Sequence, residues 1–147
     1  MTAEYQGDLH CQLTHDSSGT VIYTDAPKDN MGRGESFSPT DLVSVGLAAC
    51  ILTTVGIAAA NSKRTIPMHG ARASVVKEMT SNPRRIGILT VDIDIPHALS
   101  EDDIKFVENV ARTCPVHRSL HPDIDIRVTI RAQQPNAQNV AQSAALA

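Results

Sequence analysis

Apolar residues alternate with polar ones over residues 5–14, where Tyr5, Leu9, Cys11 and Leu13 sit among polar neighbours; the stretch predicts one β-strand. The turn "HDSSGT" follows, and "TVIYT" at residues 20–24 is β-branched and aromatic, so the two runs predict a hairpin. "DAPKDNMGRGESFS" reads as loop from its Gly, Pro, Asn and Asp content. Ser38 then has the character of an N-cap, with Pro39 at the first helical position and Asp41 in the first turn. The helix they start is expected to run to Asn61 or Ser62. Residues 71–79 and 86–95 predict two strands joined by "SNPR", and "TVDIDI" alternates apolar with acidic side chains as a strand with one wet face does. Ser100 caps a second helix over residues 101–113, with Ile104, Val107, Val110 and Ala111 as its apolar stripe. Cys114-Pro115 interrupts it, because a residue before proline disfavours the α region. Residues 125–132 predict a last strand. The order ββαββαβ implies a single α+β domain over residues 1–132, followed by a polar, Ala-rich tail at 133–147.

The first helix departs from the ordinary amphipathic pattern: residues 42–60 carry no charge. A bilayer span needs about 20 apolar residues, and this run has about that length. It is nevertheless poor in large apolar side chains, holds Ser44, Gly46, Thr53, Thr54 and Gly56, and lies between β segments that read as halves of one sheet. A buried helix is therefore expected, and no membrane partner. A helix apolar all round has to be covered all round. One short sheet and one amphipathic helix are too little for that, so a homodimer is expected to bury it. Cys50 lies mid-run. At 100° per residue Val43, Gly46, Leu47, Thr53, Thr54 and Ile57 share its side. Glycine at 46 costs about 1 kcal/mol relative to alanine, which points to close approach by a backbone or a ligand. Taken alone, Cys50 reads either as a small buried hydrophobe or as a reactive thiol.

Composition narrows the class. With 147 residues, 41% hydrophobic but only 3% aromatic, the chain suits one domain packed mainly by Val, Ile, Leu and Ala. A net charge of -3 gives no basic footprint for nucleic acid. The start "MTAEYQGDLH" lacks the basic-then-apolar pattern of a secretory signal, and three widely spaced cysteines make no disulfide framework. A reducing, cytoplasmic setting is expected, where cysteines that meet are more often redox-active or metal-binding than structural.

The second cysteine lies in "RTCPVHRSL", residues 112–120, with His117 three positions after Cys114. Together with "SPTDLVSVGLAAC", this segment resembles the OsmC/Ohr family of thiol-dependent peroxidases: the first motif is similar to that family's Pro-Glu-x-Leu…Ala-x-Cys helix, the second to its Cys-Pro-Val segment. The resemblance covers roughly residues 20–132. It implies an OsmC-like fold, an intertwined homodimer with sites at the subunit interface, and a two-cysteine mechanism. Cys50 would attack a hydroperoxide and become a sulfenic acid, and Cys114 would resolve it as a disulfide. No bound cofactor is implied; an external dithiol, such as a lipoylated protein, would reduce the disulfide. Cys11 matches no position of the family and reads as packing.

A thiolate in apolar surroundings is penalised by desolvation, and the helix dipole fades within the first turn, so Cys50 needs a cation. Family peroxidases use an arginine oriented by a glutamate. Arg33 in "MGRGESF" is the candidate, since its six steps to Pro39 span roughly 20 Å extended against about 16 Å along the helix from Pro39 to Cys50. The glutamate place after the proline holds Thr40. Asp41 lies nine residues before Cys50, about 180° away around the helix, and reads as a first-turn charge; Glu35 is a loop alternative. Two rival functions follow. Cys114, His117 and His121 form a partial metal-ligand spacing, without an evident fourth ligand and with Pro122 ending any shared helix. The departure at Thr40 also leaves a non-catalytic OsmC-like dimer that binds a small apolar molecule at its interface.

Overall fold

The structure, a computed structural model, describes residues 1–133. Of the tail expected at 133–147, Gln133 belongs to the last strand and the rest lies outside the described residues. The chain forms two compact units, Met1–Val43 and Ser44 onward.

The first unit is an antiparallel sheet in the order β1 (Thr2–Gly7), β2 (His10–His15), β3 (Thr20–Asp25). Residues 5–14 are thus two strands and not the one expected from alternation. The chain reverses at Gly7, Asp8 and Leu9, which take φ of 93°, 48° and 66°. Tyr5 then faces Cys11 across the pair, and the Tyr5 Oη accepts the Leu9 N–H at 3.2 Å. Apolar-polar alternation continued through the turn, so the pattern hid the break. After β3 the loop makes one 3-10 turn at Lys28–Asn30 and folds tightly back on itself. A Cβ on Gly32 would fall 1.7 Å from the Ala26 carbonyl oxygen, so only glycine fits there. Ser38 begins the next helix as expected. Its hydroxyl accepts the Asp41 N–H (3.2 Å) while the Asp41 carboxylate accepts the Ser38 N–H (2.8 Å), a reciprocal cap.

That helix, α1 (Pro39–Asn61), runs on into the second unit. There β4 (Arg72–Ser81), β5 (Arg84–Ala98) and β6 (Asp125–Gln133) form a separate sheet, antiparallel between β4 and β5 and parallel between β5 and β6. The two β regions are therefore two sheets, not halves of one. Parallel pairing needs a long crossover, supplied by α2 (Glu101–Ala111) and α3 (Pro115–Ser119). The observed order is βββαββααβ. Ser100 caps α2 by accepting the Asp103 N–H at 3.1 Å. Arg64, just after α1, joins α2 through Asp103 (2.7 Å) and Asp102 (3.2 Å) and stacks over Phe106 at 4.9 Å.

The core follows the periods of its elements. Leu89, Val91, Ile93 and Ile95 alternate inward from β5, and Leu47, Ala48, Ile51, Val55 and Ala59 face them from α1, closed by Val107 and Ala111 of α2. Each large apolar side chain buried this way stabilises the fold by roughly 1.5–3 kcal/mol. By length and composition α1 is apolar enough to cross a membrane, yet this face packs within the protein core. The opposite face behaves differently: Val45 is 38% exposed and Ile57 58%. Among the described residues the helix is covered chiefly on its core side.

Candidate active site: a pair of thiols

The structure brings two of the three expected site residues together. Cys50 lies midway along α1, half-buried, and Cys114 lies at the junction of α2 and α3 with no exposed surface. The junction is dictated locally. Pro115 forces Cys114 into an extended conformation (φ −59°, ψ 137°) and then starts α3 itself, its missing N–H costing nothing at that position. Cys114 is the N-cap of α3, its sulfur accepting the His117 N–H at 3.4 Å.

Three donors bear on the Cys50 sulfur. They are the Val116 backbone N–H, the Cys114 thiol, and the Thr54 hydroxyl one turn further along α1 at 3.8 Å. Burial pushes the Cys50 pKa up, but these hydrogen bonds outweigh it and hold the thiol below its ordinary value. Cys114 moves the other way. Burial raises it first, then the hydrogen bond and charge of Cys50, and the His117 and Val116 N–H groups only partly offset this. The two thiols are thus pushed in opposite directions, so that Cys50 gives up its proton more readily than Cys114. Such a pair can react with an electrophilic oxidant at one sulfur and condense at the other.

Arg33, in the first unit, is exposed and faces Asp8, with Nη2 3.6 Å from Oδ2. Asp41 is engaged in the cap of α1, where its carboxylate also accepts the Ser38 hydroxyl at 2.7 Å, in line with the first-turn role read for it. The Ser38 hydroxyl also lies 3.1 Å from that of Thr40. Cys11 sits half-buried on β2 opposite Thr24. Gly46 has no close neighbour: a Cβ there would meet nothing within 4 Å, so the approach expected at this glycine is not made by any of the described residues. The alternative ligand set fails for a structural reason. Pro115 opens a new helix that ends at Ser119, His121 lies beyond it, and its Nδ1 accepts the Asp123 N–H at 3.2 Å. Among the described residues Cys114, His117 and His121 do not gather around one point.

The Val116 N–H is the one participant that reading side chains overlooked. Its signal was Pro115 itself, because a proline that can open a helix leaves the next N–H groups without intrahelical partners. Thr54 was visible at i+4 from Cys50.

The chain is 24% identical over 110 residues to organic hydroperoxide resistance protein-like 2 of Staphylococcus epidermidis, covering 73% of this chain and 77% of that one. Among solved structures, a protein of Psychrobacter arcticus 273-4 named for osmotic stress induction and detoxification response superposes with a TM-score of 0.82 at 43% identity, covering 88% of this chain and 93% of that one. An OsmC-like protein of Mycoplasma pneumoniae follows with a TM-score of 0.74 at 26% identity, covering 89% and 94%. Residues 32–129 match the model of the OsmC-like protein family, a span that includes both Cys50 and Cys114, and the chain belongs to that family.

Proposed function

We propose that this protein is a thiol-dependent peroxidase that reduces organic hydroperoxides and, less well, hydrogen peroxide. The observation that carries the reading is the Cys50 sulfur held against the Cys114 thiol and the Val116 N–H, with the two pKa values pushed apart. Cys50 thiolate attacks the outer oxygen of ROOH; the O–O bond breaks, Cys50 becomes a sulfenic acid, and RO⁻ takes a proton to leave as ROH. Cys114 then attacks that sulfur. The S–O bond breaks, water leaves, and a Cys50–Cys114 disulfide remains. A dithiol, such as a lipoylated protein, returns both cysteines to thiols and is itself oxidised to a disulfide. No bound cofactor takes part. Arg33 is the cation assigned to the Cys50 thiolate, and the setting is cytoplasmic.

A homodimer completes this reading. The exposed Val45 and Ile57 face of α1, with open space beside Gly46 and Gly56, is apolar surface that a second copy would cover. Tyr5, Val21, Ile22 and Tyr23 add exposed apolar surface on the first sheet. Light scattering is expected to give twice the chain mass; a stable monomer would remove the dimer from the proposal.

The test is direct. Reduced protein receives about one equivalent of cumene hydroperoxide or hydrogen peroxide, and disulfides are then mapped by mass spectrometry. A Cys50–Cys114 bond is expected, formed faster with the apolar peroxide because an apolar pocket favours it. If Cys50 stays reduced while peroxide persists, the peroxidase reading fails and a dimer that binds a small apolar molecule takes its place. That second reading draws on Thr40, which stands where the family's glutamate does.

A further inference from the structure

The Met1–Val43 unit holds a cluster that thiol chemistry does not use. His10 on β2 and Asp25 on β3 lie directly opposite each other in the sheet. The loop after β3 returns alongside: Thr24 bridges to Phe37, the Asp25 N–H donates to the Phe37 carbonyl (3.1 Å), and the Ser36 hydroxyl donates to the Tyr23 carbonyl (2.8 Å). This return places Glu35 beside the other two. Asp25 Oδ2 accepts the Glu35 N–H at 2.8 Å.

The other oxygen of Asp25 is the anomaly. Asp25 has no exposed surface, and its Oδ1 is buried without a hydrogen-bond partner. It stands 3.6 Å from His10 Nε2, and Glu35 Oε2 stands 3.7 Å from the same nitrogen. Both gaps exceed hydrogen-bonding range. One donor atom from each of the three residues lies within 4.8 Å of the others. The imidazole is oriented for ligation. His10 Nδ1 is 2.9 Å from the Asp8 carbonyl, which can only accept, so Nδ1 carries a proton and Nε2 is the nitrogen turned toward the two carboxylates. A carbonyl behind the far ring nitrogen is the usual support of a metal-bound histidine. Ligands at about 2.0–2.2 Å from a tetrahedral ion stand roughly 3.3–3.6 Å apart, close to the His10 gaps. The Glu35 side chain is 61% exposed and has room to swing inward.

We propose that His10, Asp25 and Glu35 form a binding site for a divalent first-row transition ion, with Zn²⁺ the best match and water completing the coordination. An imidazole nitrogen beside two carboxylates favours a borderline ion over Mg²⁺ or Ca²⁺, which prefer all-oxygen sites. The ion ties the loop between β3 and α1 to the β2–β3 pair, since one ligand comes from each. This inference stands apart from the thiol reaction and survives its failure.

The experiment titrates chelator-treated full-length protein with Zn²⁺ by calorimetry and with Co²⁺ by absorption, for the wild type and for His10→Gln and Glu35→Gln. The wild type should bind one equivalent at this site, with Mn²⁺ weaker and Mg²⁺ not competing. His10→Gln should weaken Zn²⁺ binding by at least about 100-fold and Glu35→Gln by about 10-fold. Circular dichroism checks that the variants are folded, and Glu35→Gln, at an exposed side chain, provides the variant least exposed to a folding failure. The Co²⁺ bands lost in the variants should carry no thiolate charge-transfer component. Absence of Zn²⁺ binding, equal affinity in wild type and both variants, or loss of a thiolate band on mutation would overturn the proposal. In those cases His10 is simply a counter-charge for two carboxylates.

Discussion

The Cys50–Cys114 pair and the His10–Asp25–Glu35 set each gather titratable groups, but they are finished to different degrees. At the thiol pair every donor has an acceptor: Cys50 receives Val116, Cys114 and Thr54, and Cys114 receives His117. The carboxylate-imidazole set keeps an oxygen with no donor and its facing atoms just beyond bonding distance. Unlike poles of one pair adjust each other's proton affinity, as the two sulfurs do. The second set instead gathers three ligand atoms around a gap that a positive ion would fill. The first arrangement suits covalent change, the second suits holding.

The comparison can be broken most decisively at its first half. Cys50→Ser should reduce peroxide consumption by about 10⁴-fold or to background, measured as dithiol-dependent turnover. Cys114→Ser should keep the first oxidation and lose the disulfide, so that a sulfenic-acid trap labels Cys50; equal turnover in this variant would remove Cys114 from the cycle. Arg33→Ala should cut the rate by about 10–100-fold at neutral pH if its charge lowers the thiolate pKa by one or two units, with Arg33→Lys recovering part of it. Alkylation of Cys50 should titrate below the ordinary thiol range, since its pKa is held down; Thr54→Val should move the midpoint upward and slow the reaction about threefold, as loss of one weak donor would. The second half of the comparison is sharpened by acid. Asp25 is held below the usual carboxylate range, chiefly by the Glu35 N–H and against the effect of its burial, with His10 adding to it. A carboxylate lowered in this way contributes stability above the ordinary carboxylate range, lost as pH falls through its folded value. The thermal midpoint of metal-free protein should therefore drop on acidification, and Asp25→Asn should flatten that dependence.

Much of this was legible because it rests on periodicity and local stereochemistry. Pro39 and Ser38 marked the start of α1, "TVDIDI" marked the buried face of β5, and Ser100 marked α2. The two cysteines were legible as a pair only through two motifs read together. What escaped had no period. The Gly7–Leu9 reversal lies inside an unbroken alternation, and the Val116 N–H is a backbone group with no side-chain identity. His10 and Asp25 are fifteen residues apart, and only the hairpin register sets them face to face. Glu35 joins them through loop pairing that begins with Phe37, which no local pattern announces. The covering of α1 was half legible: all-round apolarity required a cover, and among the described residues the core covers the Leu47–Ile51–Val55 side.

In the proposed cycle the complete burial of Cys114 sets up a race. A sulfenic acid on Cys50 has two fates: capture by the neighbouring thiol, at a rate fixed by the protein, or attack by a second peroxide, at a rate that climbs with peroxide concentration. With Cys114 out of contact with bulk solvent, oxidant would not consume it beforehand and so tilt the race. Irreversible oxidation would then begin only above a threshold dose, set by how readily α3 lets the two sulfurs close their last gap.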